Sequence, residues 1–392
     1  MSPLRFPAGD LPNGARDFLD RHWQSRPLWM PGAAGPGFEG PGFESDQPLP
    51  RIEPDELAWL ATLEDVESRL VTTSLRNGRT TYEMTCGPFD SDRLSALPET
   101  GWTLLIQDVD KHLPAFRRYF ALVPFVPDWR IDDLMLSVAA PGGSVGPHVD
   151  NYDVFLVQTE GTRRWRWTAE KVAPDAGASR QLELVEPFDA QQTVIAGPGD
   201  VLYLNPGVAH FGTATSLCVT ASIGMRAPSL ADLGSHGCGH DEVFYTDPAD
   251  APVVAAAGYI PPSTLTRVAA LFAEYGLDGD GDGDGAETAL GRFVTANKPG
   301  LKPEAPPEDA PPAGPLAVHG MARLAYTDSR VYANGAEYPL LPGHVRLMPE
   351  LCATRALCRQ ERRRWRPADD LLIWLWRQGV FDAPDSTAEP AN

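Results

Sequence analysis

The pattern of hydrophobic and polar positions changes twice along the 392-residue chain. Between Trp129 and Met225, short apolar runs rich in Val, Tyr, Phe and Trp are separated by Gly/Pro turns, a pattern typical of antiparallel strands. The predicted strands cover Leu134–Ala139, Tyr152–Gln158, Thr162–Thr168, Val201–Leu204 and Cys218–Met225. The pattern therefore predicts an antiparallel β barrel or sandwich in the middle of the chain.

Helical spacing of apolar residues predominates on both sides of this β region. Before it, the spacing predicts a helix over Arg16–Arg26 and another after the acidic start Glu53–Glu56. After it, the spacing predicts helices over Pro262–Tyr275 and Thr288–Thr295. The order of elements predicts an α+β protein.

Composition divides the chain into three predicted domains. Residues 1–228 hold the β region and its N-terminal helical extension, and residues 229–315 hold helices, an acidic Asp-Gly run at 278–285 and a Pro-rich linker. In residues 316–392, two strand-like runs surround Asn334-Gly335, a pair that favours a β hairpin, and an Arg-rich helix follows. The last domain resembles a small winged-helix module.

Charge and cysteine content restrict the class of protein. With 33 Lys+Arg and 53 Asp+Glu the formal net charge is −20, so no overall positive field collects the phosphates of a nucleic acid. We therefore expect no more than weak contact with nucleic acid, and the negative charge is compatible with a basic protein as the partner. No apolar run approaches the roughly 18–20 residues that span a bilayer. Five cysteines without a CxxC pair favour a reduced, cytoplasmic setting.

The clearest chemical pattern is a His-x-Asp pair with a second histidine downstream. His148 and Asp150 lie two positions apart, so on a strand both side chains project from one face. His210 follows another predicted strand and a Pro-Gly turn. Two histidines and one carboxylate form the facial triad that holds Fe(II) and leaves positions open for co-substrate and oxygen. A His-x-Asp pair alone arises often by chance, but all three residues on a β scaffold favour a metal centre over ordinary core or surface histidines.

Three arginines lie on the strand that follows the His-x-Asp pair. Alternation places Arg163 on one face with the two neighbouring tryptophans, and Arg164 and Arg166 on the other face. One of the two sets points inward, where a buried arginine requires an anionic partner. The distal carboxylate of 2-oxoglutarate is such a partner, because guanidinium grips a carboxylate with two parallel hydrogen bonds. The flanking tryptophans argue against the alternative in which all three arginines are solvated.

These motifs resemble those of the JmjC-type ribosomal oxygenases, in particular the bacterial branch that hydroxylates an arginine of a large-subunit ribosomal protein. The similarity extends over almost the whole chain. Gly146–Phe155 resembles the family's first metal-binding strand, and Pro127–Met135 resembles the motif that leads into the β region. His22–Leu28 resembles its N-terminal helix motif, and Gly291–Thr295 a short helical signature.

The resemblance implies a cupin/JmjC double-stranded β-helix as the catalytic domain. It implies His148, Asp150 and His210 as the iron ligands. It implies Arg163 as the anchor of the 2-oxoglutarate carboxylate and Thr220 as a polar helper beside the co-substrate. The cofactor is then Fe(II), with 2-oxoglutarate and O2 as co-substrates.

The resemblance also implies the residues that hold the substrate. Asp133, Met135 and Tyr152 match positions that cradle a substrate arginine, for which a carboxylate acceptor and an aromatic face are chemically suited. The expected reaction is hydroxylation of the β-carbon of an arginine in a basic ribosomal protein. The resemblance further implies a homodimer formed through the helical segment. Two alternatives stay open: a hydroxylase of histidine or lysine in another protein, and a cupin binding or assembly module without turnover.

Overall fold

The computed structural model describes most of the chain, with gaps. The described residues are 11–34, 48–76, 78–172, 184–234, 243–248, 256–277, 285–365 and 368–382. The chain separates into one unit of Met1–Pro124 with Ile131–Arg226 and a second of Phe125–Arg130 with Ala227–Asn392. Apart from Gly285, the predicted Asp-Gly loop lies outside the described residues. No helix in the described part of the chain is long and apolar enough to cross a membrane.

The first unit contains short helices and twelve described strands. Its helices are α1 (Leu11–Arg21), α2 (Pro54–Leu60), α3 (Ser91–Ser95) and α4 (Val109–His112), with a 3₁₀ helix over Pro114–Leu122. Its strands are β1 (Leu28–Met30), β2 (Ser68–Arg76), β3 (Arg79–Cys86), β4 (Trp102–Ile106), β5 (Ile131–Ala139), β6 (His148–Val149), β7 (Val154–Glu160), β8 (Arg163–Lys171), β9 (Gln192–Ala196), β10 (Val201–Leu204), β11 (Val208–Ala214) and β12 (Cys218–Met225).

Two antiparallel sheets form this unit. The larger sheet has eight strands in the order β1-β10-β7-β12-β5-β4-β2-β3, and the smaller has four in the order β6-β11-β8-β9. Large apolar side chains from both sheets meet in one core cluster, which includes Leu156 and Leu202 from the larger sheet and Trp165 and Trp167 from the smaller. This arrangement confirms the antiparallel β architecture predicted from the apolar runs.

Burial along the strands follows their place in the sheets. Every residue of β12 is buried, because β5 and β7 pair with its two edges and both of its faces are covered. In β8 the side chains of Arg163, Trp165 and Trp167 are buried, whereas Arg164 is exposed. A strand between two packed sheets alternates in this way, since successive side chains point to opposite faces. One set of β8 residues therefore faces the interior of the unit.

The hairpin of β2 and β3 was absent from the predicted strands. Its two strands pair from Arg69 with Cys86 to Arg76 with Arg79 and extend the larger sheet through β4. Most β3 side chains are exposed or half-buried, so the hairpin shows little of the apolar alternation that marks a buried strand. Asn77-Gly78, between the two runs, is the sequence signal that would have found it.

The second unit combines helices with small sheets. Its elements include a 3₁₀ helix at Asp128–Arg130, helices α5 (Leu230–Leu233), α6 (Pro262–Glu274), α7 (Gly285–Thr295), α8 (Leu347–Thr354), α9 (Arg359–Arg364) and α10 (Asp369–Arg377), and strands β13 (Leu316–Ala317), β14 (Leu324–Tyr326), β15 (Arg330–Ala333), β16 (Ala336–Pro339) and β17 (Ala356–Leu357). The predicted hairpin is confirmed: Asn334 and Gly335 have φ of 49° and 82° and join β15 to β16. Two successive positive φ angles are what a two-residue type I′ turn requires.

Candidate metal centre

The two histidines of the predicted triad lie side by side on neighbouring strands of the smaller sheet. β6 pairs with β11 so that His148 lies opposite His210 and Val149 lies opposite Ala209. The two imidazole ring centroids are 4.1 Å apart. Asp150 follows β6 directly, and its backbone carbonyl accepts the Gly207 N–H at 2.9 Å, which links the turn before β11 to the end of β6. Strand pairing thus brings together residues that are distant in sequence.

The distances among the three side chains suit a single metal ion. His148 Nε2 lies 3.9 Å from Asp150 Oδ1, and His210 Nε2 lies 3.6 Å from Asp150 Oδ2. All three potential ligand atoms lie within 4.8 Å of one another. Two atoms bound to one ion at about 2.1 Å each are separated by no more than about 4.2 Å, so both His–Asp distances are compatible with a shared ion.

Backbone hydrogen bonds orient both imidazoles. Nδ1 of His148 lies 3.0 Å from the Gly146 carbonyl oxygen, and Nδ1 of His210 lies 3.1 Å from the Val208 carbonyl oxygen. A carbonyl only accepts, so each Nδ1 carries the proton and each Nε2 keeps its lone pair for a metal. Gly146 has φ of 87°, a conformation that favours glycine, and a Cβ there would lie 3.0 Å from the Tyr82 ring.

The environment of His210 favours the neutral imidazole that a metal requires. Burial, with a smaller contribution from His148, lowers the pKa of His210 to about 4. The side chain is 2% exposed. A neutral histidine binds a metal without first losing a proton, so His210 is ready to coordinate at neutral pH.

The triad opens into a cavity of about 440 Å³ within the first unit. The wall of this cavity includes seven of the residues singled out from the sequence: His148, Asp150, His210, Arg163, Asp133, Met135 and Tyr152. The structure therefore brings the predicted iron ligands, carboxylate anchor and substrate residues to one chamber.

Arg163 is the inward-facing arginine of β8. Its side chain is buried, with its guanidinium carbon 5.6 Å from the Trp165 ring centroid, and its Nε and Nη2 atoms have no hydrogen-bond partner. Arg166, on the opposite face, stacks on Phe211 at 4.3 Å. Buried polar atoms are nearly always paired, so the guanidinium of Arg163 is suited to an anionic ligand inside the cavity.

Thr220 is the one predicted site residue that does not line the cavity. It is buried in β12, and its hydroxyl donates to Gln158 Oε1 at 3.0 Å. Ser222, two positions along the same strand, does line the cavity. The role of Thr220 beside a co-substrate stays a prediction.

The residues predicted to hold the substrate lie around a glycine. Asp133 pairs with Gly224 across β5 and β12, and a Cβ on Gly224 would lie 3.3 Å from Asp133 Oδ1 and 3.9 Å from the Tyr152 ring. Asp133 is 3% exposed, and its Oδ2 accepts the Asp108 N–H at 3.1 Å. The negative charge of Asp150, with a smaller contribution from desolvation, raises the pKa of Tyr152 well above its ordinary value, although 40% of the residue is exposed. Tyr152 therefore stays a neutral hydroxyl across the physiological range.

Six further polar residues of the cavity wall were missed in the sequence: Arg69, Thr103, Gln107, Asp132, Ser137 and Ser222. Arg69 Nη2 donates to Gln107 Oε1 at 2.8 Å. Ser137 was within reach of the sequence argument, because strand alternation places it on the face of Asp133 and Met135. Thr103 lies on β4, a strand that the apolar pattern did not predict.

Comparison with known proteins gives relatives for almost the whole chain. The family model for the JmjC domain matches residues 120–233. The chain is 35% identical over 338 residues to the ribosomal protein uL16 3-hydroxylase of Escherichia coli K12, covering 81% of this chain and 84% of that protein. It is 33% identical to a probable ribosomal oxygenase of Haemophilus influenzae, over 55% of this chain and 50% of that protein.

A solved structure shares this fold. The structure of YcfD, a ribosomal oxygenase from Escherichia coli in complex with cobalt and 2-oxoglutarate, matches with a TM-score of 0.66 and 31% identity. The match covers 93% of this chain and 97% of that chain. Together with the JmjC match, it confirms the predicted JmjC/cupin-type fold of helices and antiparallel sheets.

Proposed function

The chain belongs to the JmjC-type ribosomal oxygenase family, and on this premise we propose that it is an Fe(II)- and 2-oxoglutarate-dependent protein hydroxylase. The proposed substrate is an arginine of a large-subunit ribosomal protein, hydroxylated at its β-carbon. The relative named for 3-hydroxylation of uL16 supports this choice of substrate and position. A net charge of −20 also suits a basic protein substrate.

One observation carries the proposal: a single cavity holds both a His-Asp-His set and a buried guanidinium with unpaired nitrogens. Two imidazole Nε2 atoms and one carboxylate are the ligand set of non-haem Fe(II) oxygenases. The guanidinium of Arg163 meets the requirement of the far carboxylate of 2-oxoglutarate for a charged, bidentate donor. The residues present therefore fit both the metal and the co-substrate.

The chemistry divides between the bound metal and the protein. Bound iron supplies the reaction with O2, in which 2-oxoglutarate becomes succinate and CO2 while one oxygen atom enters succinate and the other the substrate C–H bond. His148, Asp150 and His210 would hold the ion. Arg163 fixes the distance between the far carboxylate and the metal. Trp165, buried beside Arg163, keeps that part of the cavity free of water.

The proposed substrate side of the site contains the acidic side chain of Asp133. Asp133 accepts hydrogen bonds from the substrate guanidinium, and the Tyr152 ring covers one face of it. Met135 forms a further part of the wall. Gly224 leaves space between Asp133 and Tyr152, because its missing Cβ would contact both. These residues set the position of the substrate carbon relative to the metal.

The proposal includes the remaining expectations for assembly and location. The segment of residues 229–315 carries the contact of a homodimer, and residues 316–392 act as a winged-helix module. The three-stranded sheet β14-β15-β16 and helices α8 to α10 support the second assignment. A ribosomal substrate implies action in the cytoplasm. Light scattering at several protein concentrations tests the dimer, which a monomeric mass at all of them would exclude.

Intact-mass analysis of ribosomal proteins tests the proposed reaction. The purified protein is incubated with Fe(II), 2-oxoglutarate and ribosomal proteins that carry no hydroxylation, with the His148→Ala variant as the control. The expected result is a gain of one oxygen on one large-subunit protein, absent in the control and assigned to arginine by fragmentation.

Other outcomes decide between the alternatives. A gain on a histidine or lysine would keep the enzyme class and overturn the substrate residue. Consumption of 2-oxoglutarate without any gain on a ribosomal protein would move the substrate elsewhere. Neither gain nor consumption would favour a binding or assembly module.

A further inference from the structure

A short polar helix, α4, covers part of one edge of β5. The pairing of β4 with β5 runs from Ala139 to Leu136. Along the preceding stretch of β5, residues 132–134, polar groups of α4 and of the residue before it reach this edge instead. Asp133, the proposed acceptor of the substrate guanidinium, lies in the middle of this stretch and lines the cavity. The contacts of α4 therefore adjoin the proposed substrate side of the site.

Three consecutive residues of β5 are hydrogen-bonded to this segment. The bonds are Lys111 Nζ to the Asp132 carbonyl oxygen at 3.0 Å, the Asp108 N–H to Asp133 Oδ2 at 3.1 Å, and the Leu134 N–H to Asp110 Oδ1 at 2.9 Å. The three residues of the helical segment are each no more than 7% exposed. Little water competes for buried donors and acceptors, so such bonds keep their geometry. The segment thus holds this part of β5 in place.

The bond from Asp108 fixes the direction of the Asp133 carboxylate. Oδ2 accepts the Asp108 N–H, while Oδ1 lies 3.3 Å from the position of a Cβ on Gly224, which also lines the cavity. Rotation of the carboxylate would break the bond to Oδ2 and turn Oδ1 away from this space. A guanidinium and a carboxylate bind well only in a narrow range of orientations. The direction of Oδ1 therefore decides how well a substrate arginine fits.

Asp108 adopts an uncommon backbone conformation while donating this bond. Its φ and ψ are 56° and 30°, in the left-handed region, which Asp and Asn enter more readily than other residues with a side chain. The Lys111 ammonium group forms a buried ion pair with the Asp108 carboxylate, and its Nζ lies 3.6 Å from Asp110 Oδ1. Leaving the left-handed conformation would separate two buried charges, which is costly. The ion pair therefore keeps the Asp108 N–H directed at Asp133.

We propose that Asp108, anchored by Lys111, is a positioning residue for the substrate arginine. Its main-chain N–H holds Asp133 Oδ2, so that Asp133 Oδ1 meets the guanidinium in the orientation that hydroxylation requires. Neither Asp108 nor Lys111 lines the cavity, so both act through Asp133 and not by contact with the substrate. The inference rests on the proposed function and adds the residues that set the substrate side of its site.

The test measures substrate affinity separately from turnover. The probe is the large-subunit ribosomal protein that gains an oxygen with the wild type. Its KM and kcat are measured with Fe(II) and saturating 2-oxoglutarate, and its Kd for the protein loaded with Mn(II) and 2-oxoglutarate is measured by calorimetry. Asp108→Ala removes the acceptor of Lys111 and disfavours the left-handed conformation. Asp108→Asn keeps an acceptor oxygen and tolerates that conformation.

The expected result for Asp108→Ala is a rise of about tenfold in both the KM and the Kd of the ribosomal protein, with the Kd of 2-oxoglutarate unchanged. Asp108→Asn is expected to recover most of the lost affinity. Adding Lys111→Met to Asp108→Ala should weaken binding little further, because both residues act through one hydrogen bond. Asn334→Ala is the matched control, because Asn334 combines a φ of 49° with a buried polar side chain and does not line the cavity.

Each other outcome has a definite meaning. An unchanged KM and Kd of the ribosomal protein in Asp108→Ala would overturn the inference. Equal losses in Asp108→Ala and Asp108→Asn, a higher Kd of 2-oxoglutarate, or a higher KM in Asn334→Ala would reduce Asp108 to a structural role. A wild-type protein that hydroxylates no ribosomal protein would refute the proposed function itself, and the inference with it, before any variant is compared.

Discussion

The two ends of the cavity are built in opposite ways. At the metal end, both histidines are already held by hydrogen bonds from Nδ1 to backbone carbonyls of Gly146 and Val208. At the other end, Arg163 and Thr103 carry buried polar atoms without partners. At the metal end, the protein alone provides the hydrogen bonds that orient the two histidines. At the far end, the buried polar atoms gain hydrogen-bond partners only when a ligand binds.

This difference shows that the protein itself orders the side chains at one end of the cavity, whereas the polar side chains at the other end need a ligand as their partner. The orientation of His148 and His210, the two proposed histidine ligands, is fixed without an ion, which lowers the cost of ordering them. The unpaired groups at the far end are costly in the free protein and are satisfied on binding. Affinity for the co-substrate should therefore depend strongly on each far-end side chain.

The largest effect is expected from removing a ligand at the metal end. His148→Ala leaves two ligands and should weaken Mn(II) binding by more than about a hundredfold, since losing only an outer partner of a ligand costs 10–100-fold. Hydroxylation should fall to background. Mn(II) binding followed by electron paramagnetic resonance measures the first effect. His112→Gln, at a half-buried histidine outside the cavity wall, serves as the control, and comparable metal affinity in His148→Ala would contradict the assignment.

The next effect separates the two ends. Arg163→Met should raise the Kd of 2-oxoglutarate by about a hundredfold, because it removes the charged partner that we propose for the far carboxylate. Metal affinity should not change, since Arg163 lies at the other end. Arg166→Met, on the outward face of the same strand, should change the Kd less than twofold. Calorimetry on the wild type and the two variants measures these Kd values. A similar rise in the Kd of 2-oxoglutarate for both arginine variants would contradict the difference between the two ends of the cavity.

The third prediction concerns the metal end as pH falls. His210 has a pKa of about 4 in the folded protein, against 6.5 for an ordinary histidine. Between these values the unfolded chain binds more protons than the folded one. The stability that the neutral imidazole contributes is present above pH 6.5 and is lost as the pH falls towards 4, by up to about 3 kcal/mol.

Urea unfolding of the metal-free protein at pH 7.5 and pH 5 measures this loss. His210→Gln removes the titrating group, so its free energy of unfolding should fall less between the two pH values than that of the wild type. Identical pH dependence in the two proteins would show that His210 does not titrate in this range.

The smallest effect is expected on the substrate side of the cavity. Gly224→Ala places a methyl group 3.3 Å from Asp133 Oδ1, so Asp133 must shift by a few tenths of an ångström. The KM for the ribosomal substrate should rise about tenfold, with the Kd of 2-oxoglutarate unchanged. Gly197→Ala is the control, because a Cβ there meets only Asp200 at 3.9 Å. A higher Kd for 2-oxoglutarate in Gly224→Ala would place this glycine at the co-substrate end instead.

Much of the fold was predictable where burial is periodic. β10 and β12 begin and end at the predicted residues, because both lie inside the larger sheet and read as continuous apolar runs. The first helix was predicted over Arg16–Arg26 but spans Leu11–Arg21, five positions earlier. Gln24, with φ of 55°, lies in a turn that the periodicity of Phe18, Leu19 and His22 did not reveal.

The candidate site was predictable in part for a similar reason. Spacing of two residues identified His148 with Asp150, and alternation reduced three arginines to two possible sets. Only the packing of β8 on the larger sheet shows that the set with Arg163 faces inward. Thr103 gave no signal, because its place in the cavity wall follows from the pairing of β4 with β5 and not from its neighbours in sequence.

The carbonyl groups that orient His148 and His210 belong to the main chain, and this affects how the protein can diverge. No side-chain substitution deletes a carbonyl group. A point mutation elsewhere therefore breaks these hydrogen bonds to the imidazoles only by displacing the backbone. The far end of the cavity is held by side chains, which single codon changes replace. Variants that keep His148 and His210 should therefore change their choice of oxo-acid more readily than the orientation of these two imidazoles.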